Sequence, residues 1–449
     1  MKLKGRKNNN AIIILKKVLI ISYYWPPSGG AGVQRWLKFA KYLPEFGWEP
    51  HIYTPSNPEA PAYDDSLLNE IPEEVVVVKR KIFEPYSFYK KFTGNKGNVN
   101  AGFLSENEDS RKKFTESLSI WIRGNLFIPD ARIMWVKPST KFLRKYIEEN
   151  NIKVVISTGP PHSMHLIAKK LKAKTNIKWI ADFRDPWTNI DFYKDLMLTK
   201  VADKKHHKLE KSVLQQANKV ITIGNTMAKE LEKVRGSSID VITNGYDLSD
   251  FNDVVTKIDN HYFTITHVGS INSDRNHDIF WKALRDLCNK NKEFELKLKL
   301  VFVGKLDYQV IKSIKDYNFT DKTEIISYIP HNEIIKYLYS ANCLYLPLNN
   351  TPNAKGVLSG KLFEYLATNI DIVGIGHPNG DAAEIISKTK SGYMIDFNDK
   401  TGLINAFETI FKKEGLLTNT ISEDRLKYSR KELTRDLVKI LEEILQADL

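Results

Sequence analysis

Lys361 and Glu364 combine a cation and a carboxylate at helical spacing. The apolar pattern of Lys361–Ala367 predicts a helix that carries both side chains on one face. This helix follows the predicted strand Cys343–Leu346 and the polar loop Asn349–Gly360, so it lies at a strand end, where α/β proteins bind ligands. There a carboxylate can accept hydrogen bonds from a ribose diol and a lysine can neutralise a diphosphate. The alternative is an exposed ion pair.

Three more charged residues in the C-terminal half come at strand ends or helix starts. Arg275 and Lys305 follow two predicted strands, and we expect both to point into the same cleft. Asp381 opens a helix, where it is either a plain cap or a ligand group. For Arg275 and Lys305 the alternative is a solvated surface charge.

In the N-terminal half, His162 and the run Asp182–Asp185 each follow a predicted strand. Asp182, Arg184 and Asp185 place three charges beside a buried strand, which is costly unless the charges are used. His162 starts a helix, where a structural cap is the alternative to catalysis. We predict His162, Asp182 and Arg184 as catalytic candidates.

A glycine-rich loop follows the first apolar strand of the chain. Val18–Ile21 predicts a strand buried on both faces, and a helix begins after Gly32. Gly30 and Gly32 let backbone N–H groups approach an anion at the helix N-terminus, although a structural turn is the alternative. Because Arg35 replaces the third glycine of the dinucleotide fingerprint, we expect no nicotinamide cofactor.

Strands alternate with helices along nearly the whole chain, which predicts parallel sheets with right-handed crossovers. A second series starts at Tyr262, so we predict an α/β fold of two Rossmann-like domains facing across a cleft. The predicted boundaries are a disordered lead at 1–16, domains at 17–245 and 246–422, and C-terminal helices at 423–449.

The composition is that of a soluble globular protein of two domains: 449 residues, 42% apolar and 27% charged. A net charge of +13 favours an anionic partner. Cys288 and Cys343 form no CxxC motif, which favours a reducing cytoplasm. We expect no signal peptide, no membrane span and no metal site.

Residues 80–130 predict an insertion rich in aromatic and basic side chains. It contains KIFEPYSFYKKF, and IWIRGNLFIPDARIMWVKP overlaps its end. Such a mixture suits peripheral contact with a membrane interface, and the alternative is a partly buried loop. No nucleic-acid-binding module accompanies the charge, so we expect no nucleic-acid partner.

Seven short motifs together resemble the retaining glycosyltransferases of family 4, which have the GT-B fold and build surface polysaccharides. The resemblance extends from about Lys17 to the C-terminal helices. The motifs are SYYWPPSGGAGVQR, TGPPHS, ADFRDPW, ITNGYD, GSINSDR, GKLFEYLA and GDAAEI.

The resemblance implies a nucleotide-sugar donor in the C-terminal domain and a glycan or lipid-linked acceptor in the N-terminal domain. It implies that Glu364 holds the ribose hydroxyls and that Arg275 and Lys361 bind the diphosphate as catalytic cations. The other implied donor-binding residues are Gly30, Gly32, Gly269, Ser270, Lys305, Gly360 and Asp381. It also implies transfer without a cofactor or metal, in the cytoplasm or at the inner membrane surface.

Two positions depart from the family pattern. The family often has paired glutamates, and Gly356 stands at the first of these positions. Many members place a histidine where this chain has the Phe183–Asp185 run, so the active-site histidine is either His162 or replaced by this run. Two rivals remain: a sugar-nucleotide epimerase on the same fold and a non-catalytic partner subunit.

Overall fold

The structure is a computed structural model that describes residues 7–8, 11–12, 15–60, 62–83, 120–251, 261–327, 329, 331–413 and 421–446. The chain divides into two compact units. The first contains the described residues up to Thr243 and those from Arg430 onward, and the second contains those of Asn244–Ser429.

The first unit is built on a seven-stranded parallel sheet. Its strands are β3 (Lys16–Ile21), β4 (Trp48–Pro55), β5 (Val76–Arg80), β6 (Val154–Gly159), β7 (Lys178–Phe183), β8 (Lys219–Thr222) and β9 (Asp240–Val241), in the order β5-β4-β3-β6-β7-β8-β9. Val18–Ile21 is fully buried at the centre of this sheet, because helices cover both of its faces. The valine-rich β5 lies at the edge of the sheet, where Val76 is exposed and Val77 and Val78 are partly buried.

The helices of the first unit are α1 (Ala31–Tyr42), α2 (Val136–Asn150), α3 (Ser163–Lys172), α4 (Lys200–Gln216), α5 (Asn225–Arg235) and the C-terminal α14 (Arg430–Gln446). Residues 120–126 are also helical. Leu437 and Leu441 of α14 pack into the same apolar cluster as Val33 and Trp36 of α1. This helix also has a polar contact: the indole N–H of Trp48 donates to Glu442.

The second unit contains a six-stranded parallel sheet. Its strands are β10 (Phe263–Val268), β11 (Leu298–Val303), β12 (Thr323–Ile326), β13 (Cys343–Pro347), β14 (Asp371–Ile375) and β15 (Gly392–Ile395), in the order β12-β11-β10-β13-β14-β15. Its helices are α6 (Asp278–Lys290), α7 (Lys292–Lys297), α8 (Tyr308–Asp316), α9 (His331–Tyr339), α10 (Gly360–Leu366), α11 (Asp381–Lys388), α12 (Lys400–Lys412) and α13 (Glu423–Leu426).

Both sheets reverse their strand order at one point. In the first unit β3 lies between β4 and β6, and in the second unit β10 lies between β11 and β13. Ligands of open parallel sheets bind beyond the carboxyl ends of the strands at such a point. The architecture therefore confirms two Rossmann-like domains and directs attention to the residues that follow β3, β6, β10 and β13.

Two predicted segments fall largely outside the described residues. Of the lead at 1–16, the described part contains β1 (Lys7–Asn8) paired with β2 (Ala11–Ile12), and β3 already begins at Lys16. Of the insertion at 80–130, residues 84–119 lie outside the description. Among the described residues, no helix is both long and apolar enough to cross a bilayer.

Candidate functional site

The second unit brings together two of the predicted phosphate-binding cations beyond the carboxyl ends of β10 and β13. Arg275 comes from the loop after β10, and its Nε donates to the side-chain oxygen of Asn349, which follows β13, at 2.6 Å. Lys361, in the first turn of α10, lies against Gly269 at the end of β10. Residues from three separate segments thus form one cationic group at the switch point of this sheet.

The surroundings of Lys361 disfavour its protonated, positively charged form. Burial, followed by repulsion from Arg275, lowers the pKa of Lys361 to about 8, although the Glu364 carboxylate acts in the opposite direction. Burial also lowers the pKa of the Arg275 guanidinium, which remains charged at neutral pH. Two adjacent, partly desolvated cations gain most from an anionic ligand, since it relieves their mutual repulsion.

Two glycines allow this close packing. Gly269 has φ +101°, and a Cβ there would overlap the aliphatic part of Lys361. Gly304, with φ +128°, packs so closely on Gly269 that a Cβ would lie 2.8 Å from its backbone. Positive φ favours glycine at both places, and the absent side chains leave room for the lysine.

Helix α10 is fixed to the sheet by the residue next to Glu364. The buried Tyr365 hydroxyl accepts a hydrogen bond from the backbone N–H of Val268 at 3.1 Å. Because this bond ties α10 to the end of β10, it holds Lys361 and Glu364 at a set position beyond the strands. The face of α10 that carries these two residues therefore lies beyond the carboxyl ends of the strands.

The remaining predicted donor-site residues lie at other positions in the second unit. Ser270 and Lys305 are exposed beyond β10 and β11, respectively. Gly360 begins α10 with open space where a Cβ would project. Asp381 is buried in the first turn of α11.

Sequence reasoning missed two polar residues at this site. Asn349 holds Arg275, and it begins the polar loop that the sequence marked without assigning it a role. His267 is buried on β10, where burial and then the nearby Lys361 charge lower its pKa to about 3. Its Nδ1 bonds the Tyr345 carbonyl at 2.9 Å, so the neutral ring donates there. The sequence pattern of β10 could not predict this hydrogen bond, because its acceptor, Tyr345, lies on a different strand.

In the first unit, part of the backbone of the glycine-rich loop is already engaged in hydrogen bonds within the protein. The N–H of Gly29 donates to the Ala62 carbonyl at 2.8 Å, and that of Asp64 donates to the Pro27 carbonyl at 2.8 Å. The N–H of Gly29 is therefore not available as an anion donor. The N–H of Val33 donates to the Gly30 carbonyl at 3.1 Å, so among the first three amides of α1 those of Ala31 and Gly32 are left for an anion.

We expect substitutions at two adjacent glycines to separate backbone conformation from packing. Gly30 has φ 95° and ψ 170°, a region that essentially only glycine adopts, so Gly30→Ala should lower the free energy of unfolding by roughly 1–3 kcal/mol. Gly29→Ala meets only ordinary contacts of 3.5 Å or more and should cost less than about 0.5 kcal/mol. Urea unfolding of both variants measures the difference, and equal stabilities would contradict the strained geometry at Gly30.

Asp182 lies inside a closed polar network. Its carboxylate accepts from Arg35 at 3.0 and 3.3 Å, from the Trp36 indole at 2.8 Å and from the Thr158 hydroxyl at 2.9 Å. The side chain is fully buried. This geometry supports a structural role, in which Asp182 joins β7 to α1 and β6, in place of the predicted catalytic one. Arg35, which breaks the dinucleotide fingerprint, is its buried counter-ion.

Arg184 joins the glycine loop to the turn after β6. Its guanidinium donates to the carbonyl of Gly32 at 2.6 Å and to that of Pro160 at 2.5 Å. A Cβ at Gly32 would lie 3.1 Å from this guanidinium, so glycine gives Arg184 its space. Arg184 therefore positions the two loops beyond β3 and β6, whereas the neighbouring Asp185 is exposed.

His162 lines a pocket of about 430 Å³ within the first unit. Its ring stacks on Trp187 at 4.5 Å, and its buried Nδ1 has no hydrogen-bond partner among the described residues. Burial lowers the pKa of His162 well below its usual value, so the ring is neutral. The pocket is rich in aromatic and proline side chains, and its charged members are Arg123, Asp130, Arg132 and Asp195. A neutral imidazole, an indole face and four charged groups suit a ligand with both polar and apolar surfaces, such as a sugar.

The described residues contain no group of three histidine, cysteine or carboxylate side chains placed to hold a metal ion. His206 and His207 are adjacent on α4, and only His206 is buried, where it accepts a hydrogen bond from Trp187 at 3.1 Å.

Comparison with sequence families gives two adjacent matches. Residues 249–430 match the model described as "Glycosyl transferases group 1", and residues 103–250 match the model described as "Glycosyltransferase Family 4". No curated protein sequence matches the chain.

Comparison with solved structures shows the same two-domain fold. A glycosyltransferase from Rickettsia africae ESF-5 is 15% identical, with a TM-score of 0.62, over 96% of this chain and 99% of that one. A variant of S. aureus TarM in complex with fondaparinux, alpha-GlcNAc-glycerol and UDP is 11% identical, with a TM-score of 0.56, over 95% and 99%. A candidate UDP-N-acetylglucosamine 2-epimerase from Listeria monocytogenes is 10% identical, with a TM-score of 0.54, over 96% and 97%. At these identities the likeness shows the GT-B fold, and the two family matches support a glycosyltransferase.

Proposed function

We propose that this chain, a GT-B glycosyltransferase, transfers a sugar from a nucleotide-sugar donor to a glycan or lipid-linked acceptor. We further propose that the reaction retains the anomeric configuration, needs no metal and serves surface polysaccharide synthesis. The observation that carries the proposal is the meeting of Arg275 and Lys361 beyond β10, with Glu364 one helical turn away on α10.

The departing nucleoside diphosphate is the main energetic problem of this reaction. Negative charge builds on its phosphate oxygens as the sugar becomes oxocarbenium-like, and fixed cations stabilise that charge better than mobile water does. We assign this task to Arg275 and Lys361, because both are partly desolvated before the donor binds. Glu364 would accept hydrogen bonds from the ribose hydroxyls and so fix the position of the nucleotide.

For retention, the acceptor hydroxyl attacks the anomeric carbon from the face that the diphosphate leaves. The bond from that carbon to the acceptor oxygen forms as the bond to the phosphate oxygen breaks. The hydroxyl proton passes to the departing phosphate oxygen, so no side-chain base is required. The neutral His162 fits this scheme as a hydrogen-bonding group in an acceptor pocket.

A thermal-shift screen against UDP-, GDP- and dTDP-sugars tests donor binding directly. A ligand that binds only the native state raises the unfolding temperature by mass action. Stabilisation by one nucleotide series identifies the base, and no stabilisation by any of them contradicts the proposed donor class.

The epimerase alternative stays open because a candidate epimerase shares this fold. Product analysis after incubation with donor alone separates the two functions: an epimerase converts the sugar without an acceptor, whereas a transferase requires one. A non-catalytic partner subunit would bind the nucleotide-sugar and turn over neither substrate.

We expect the affinity for the nucleoside diphosphate to fall above pH 8. Lys361, with a pKa of about 8 in the free protein, is charged below this pH and loses its proton above it. The bound anion favours the charged form, so binding above pH 8 takes up a proton, and affinity should fall by up to about tenfold per pH unit. Calorimetric titration from pH 7 to 9 measures this slope, and Lys361→Met should abolish it. An equal slope in wild type and variant would contradict the assignment.

A further inference from the structure

The pocket that contains His162 is bordered by exposed apolar side chains. The helical residues 120–126 contribute Ile120 and Gly124 to its wall, and the segment before α4 contributes Phe192 and Leu196. The exposed large apolar side chains on these two segments and at the start of α4 are Trp121, Leu126, Phe192, Met197 and Val201. Leu126 is 65% exposed and Val201 77%, so these side chains are not part of the core.

Hydrogen bonds hold these segments together as one surface. The Asn125 side chain donates to the Met197 carbonyl at 3.2 Å and accepts from the Thr199 N–H at 2.7 Å. The Tyr193 hydroxyl donates to Asp203 of α4 at 2.9 Å. The exposed apolar residues are therefore neighbours on a fixed surface beside the pocket mouth.

The same surface has an excess of positive charge. Residues 191–211 contain six lysines against three aspartates and the buried Glu210. Within the described part of the chain, Lys200, Lys204, Lys205 and Lys208 have no ion pair, whereas many other exposed lysines do. Asp203 is occupied by Tyr193 and by His207, and Asp191 and Asp195 are the exposed acids of the segment.

We propose that this surface, formed by residues 120–126, 191–199 and the lysine face of α4, docks on an anionic phospholipid membrane. Unpaired lysines beside exposed tryptophan, phenylalanine and aliphatic side chains are the combination that favours an interface with acidic headgroups. An acidic protein or polymer would use the lysines but leave Leu126, Met197 and Val201 exposed to water.

Docking at this surface would bring the pocket mouth to the headgroup layer. In this respect the inference rests on the proposed function, because it selects a lipid-linked acceptor over a free glycan. The proposed docking surface contains only part of the aromatic segment Ile120–Pro138. Trp121 and Leu126 belong to the exposed surface, whereas Trp135 is buried and stacks on Tyr53 at 5.1 Å.

Sedimentation of the full-length chain with vesicles tests the docking. We expect binding to vesicles of equimolar phosphatidylcholine and phosphatidylglycerol and little binding to phosphatidylcholine alone. The triple variant Lys204→Glu, Lys205→Glu, Lys208→Glu should bind at least about tenfold more weakly, and the pair Leu126→Ser, Val201→Ser should also weaken binding. The control is Lys312→Glu, Lys315→Glu, Lys336→Glu, which makes the same charge change on exposed lysines of the second unit and should bind as wild type does.

Three results would overturn the docking surface: no vesicle binding by wild type, full binding by the Lys204 triple variant, or equal loss in the control. Retention on heparin without vesicle binding would indicate an anionic polymer as the partner. The vesicle measurement uses no nucleotide-sugar, so its failure leaves the transferase assignment intact. Conversely, a chain that binds vesicles and transfers no sugar would contradict the proposed function alone.

Discussion

Replacing Lys361 by methionine should lower the rate constant of sugar transfer by about 10²–10³-fold without unfolding the protein. Methionine has a similar length and fills the space against Gly269, but it brings no charge to the departing diphosphate. The loss should appear in kcat, because the charge on the phosphates is greatest in the transition state. Steady-state kinetics with the donor found in the nucleotide screen measures this effect.

The stability of the same variant shows whether the loss is catalytic. Burial and Arg275 lower the pKa of Lys361 in the folded state, so below about pH 8 the folded protein bears the full cost of the charge. Stability should then rise as the pH increases from about 8 towards the unfolded-state pKa of about 10.4. Lys361→Met removes this cost, so its unfolding temperature at pH 7 should equal or exceed that of wild type.

A matched substitution completes this test. Lys312 is exposed on α8, and Lys312→Met removes the same charge from the same unit. It should leave both kcat and stability nearly unchanged. If Lys361→Met transfers sugar within threefold of the wild-type rate, Lys361 does not stabilise the leaving group.

Replacing Glu364 by alanine should raise the KM for the nucleotide-sugar by about 10–100-fold and change kcat much less. The ribose does not react, so its hydrogen bonds to a carboxylate contribute equally to the ground state and the transition state. Glu364→Gln should have an intermediate effect, because the amide keeps one acceptor oxygen and loses the charge. Initial rates over a range of donor concentrations separate the two constants.

Glu384 provides the control for this substitution. It is an acidic residue of α11 that forms an exposed ion pair with Lys388 at 2.5 Å. Glu384→Ala should leave the KM for the donor unchanged. A normal KM in Glu364→Ala, or an equal rise in Glu384→Ala, would show that Glu364 does not hold the ribose.

The two substitutions affect different constants for one physical reason. Lys361 acts where charge develops during the reaction, whereas Glu364 acts on a part of the donor that stays the same. A parallel loss of kcat in both would therefore indicate a general distortion of α10, which Tyr365 anchors to β10. Measuring both variants under one set of conditions distinguishes these outcomes.

Several features of the fold follow from short-range patterns. The apolar run Val18–Ile21 predicts a strand buried on both faces, and the structure confirms it as the buried part of β3. The alternation of strands and helices predicts two parallel sheets, which β3–β9 and β10–β15 form. The C-terminal helices predicted at 423–449 are α13 and α14. Each of these depends on residues within about one element length, where periodicity determines which side chains can be buried.

The exposure of the edge strand and the role of the buried charge depend on contacts between residues that are far apart in the sequence. Val76 and Val77 have the composition of a buried strand, but β5 has a neighbour on one side only, so its side chains remain more exposed. Asp182 follows a buried strand, which suggested chemistry, yet its partners Arg35 and Trp36 lie 147 and 146 residues away. No local pattern marks a carboxylate as already satisfied by such distant donors.

The candidate donor site likewise contains residues that local sequence patterns predict and residues that only the fold brings together. By itself, the sequence determined the type and spacing of Lys361 and Glu364, because helical geometry places residues three apart on one face. Only the tertiary structure decided that Arg275 and Gly269 join Lys361. The reason is that β10 and β13 are neighbours in the sheet although 74 residues separate the hydrogen-bonded Arg275 and Asn349. Parallel sheets bring strand ends from distant parts of the chain to one edge, so the charges that share a site are selected by strand order, which local composition does not encode.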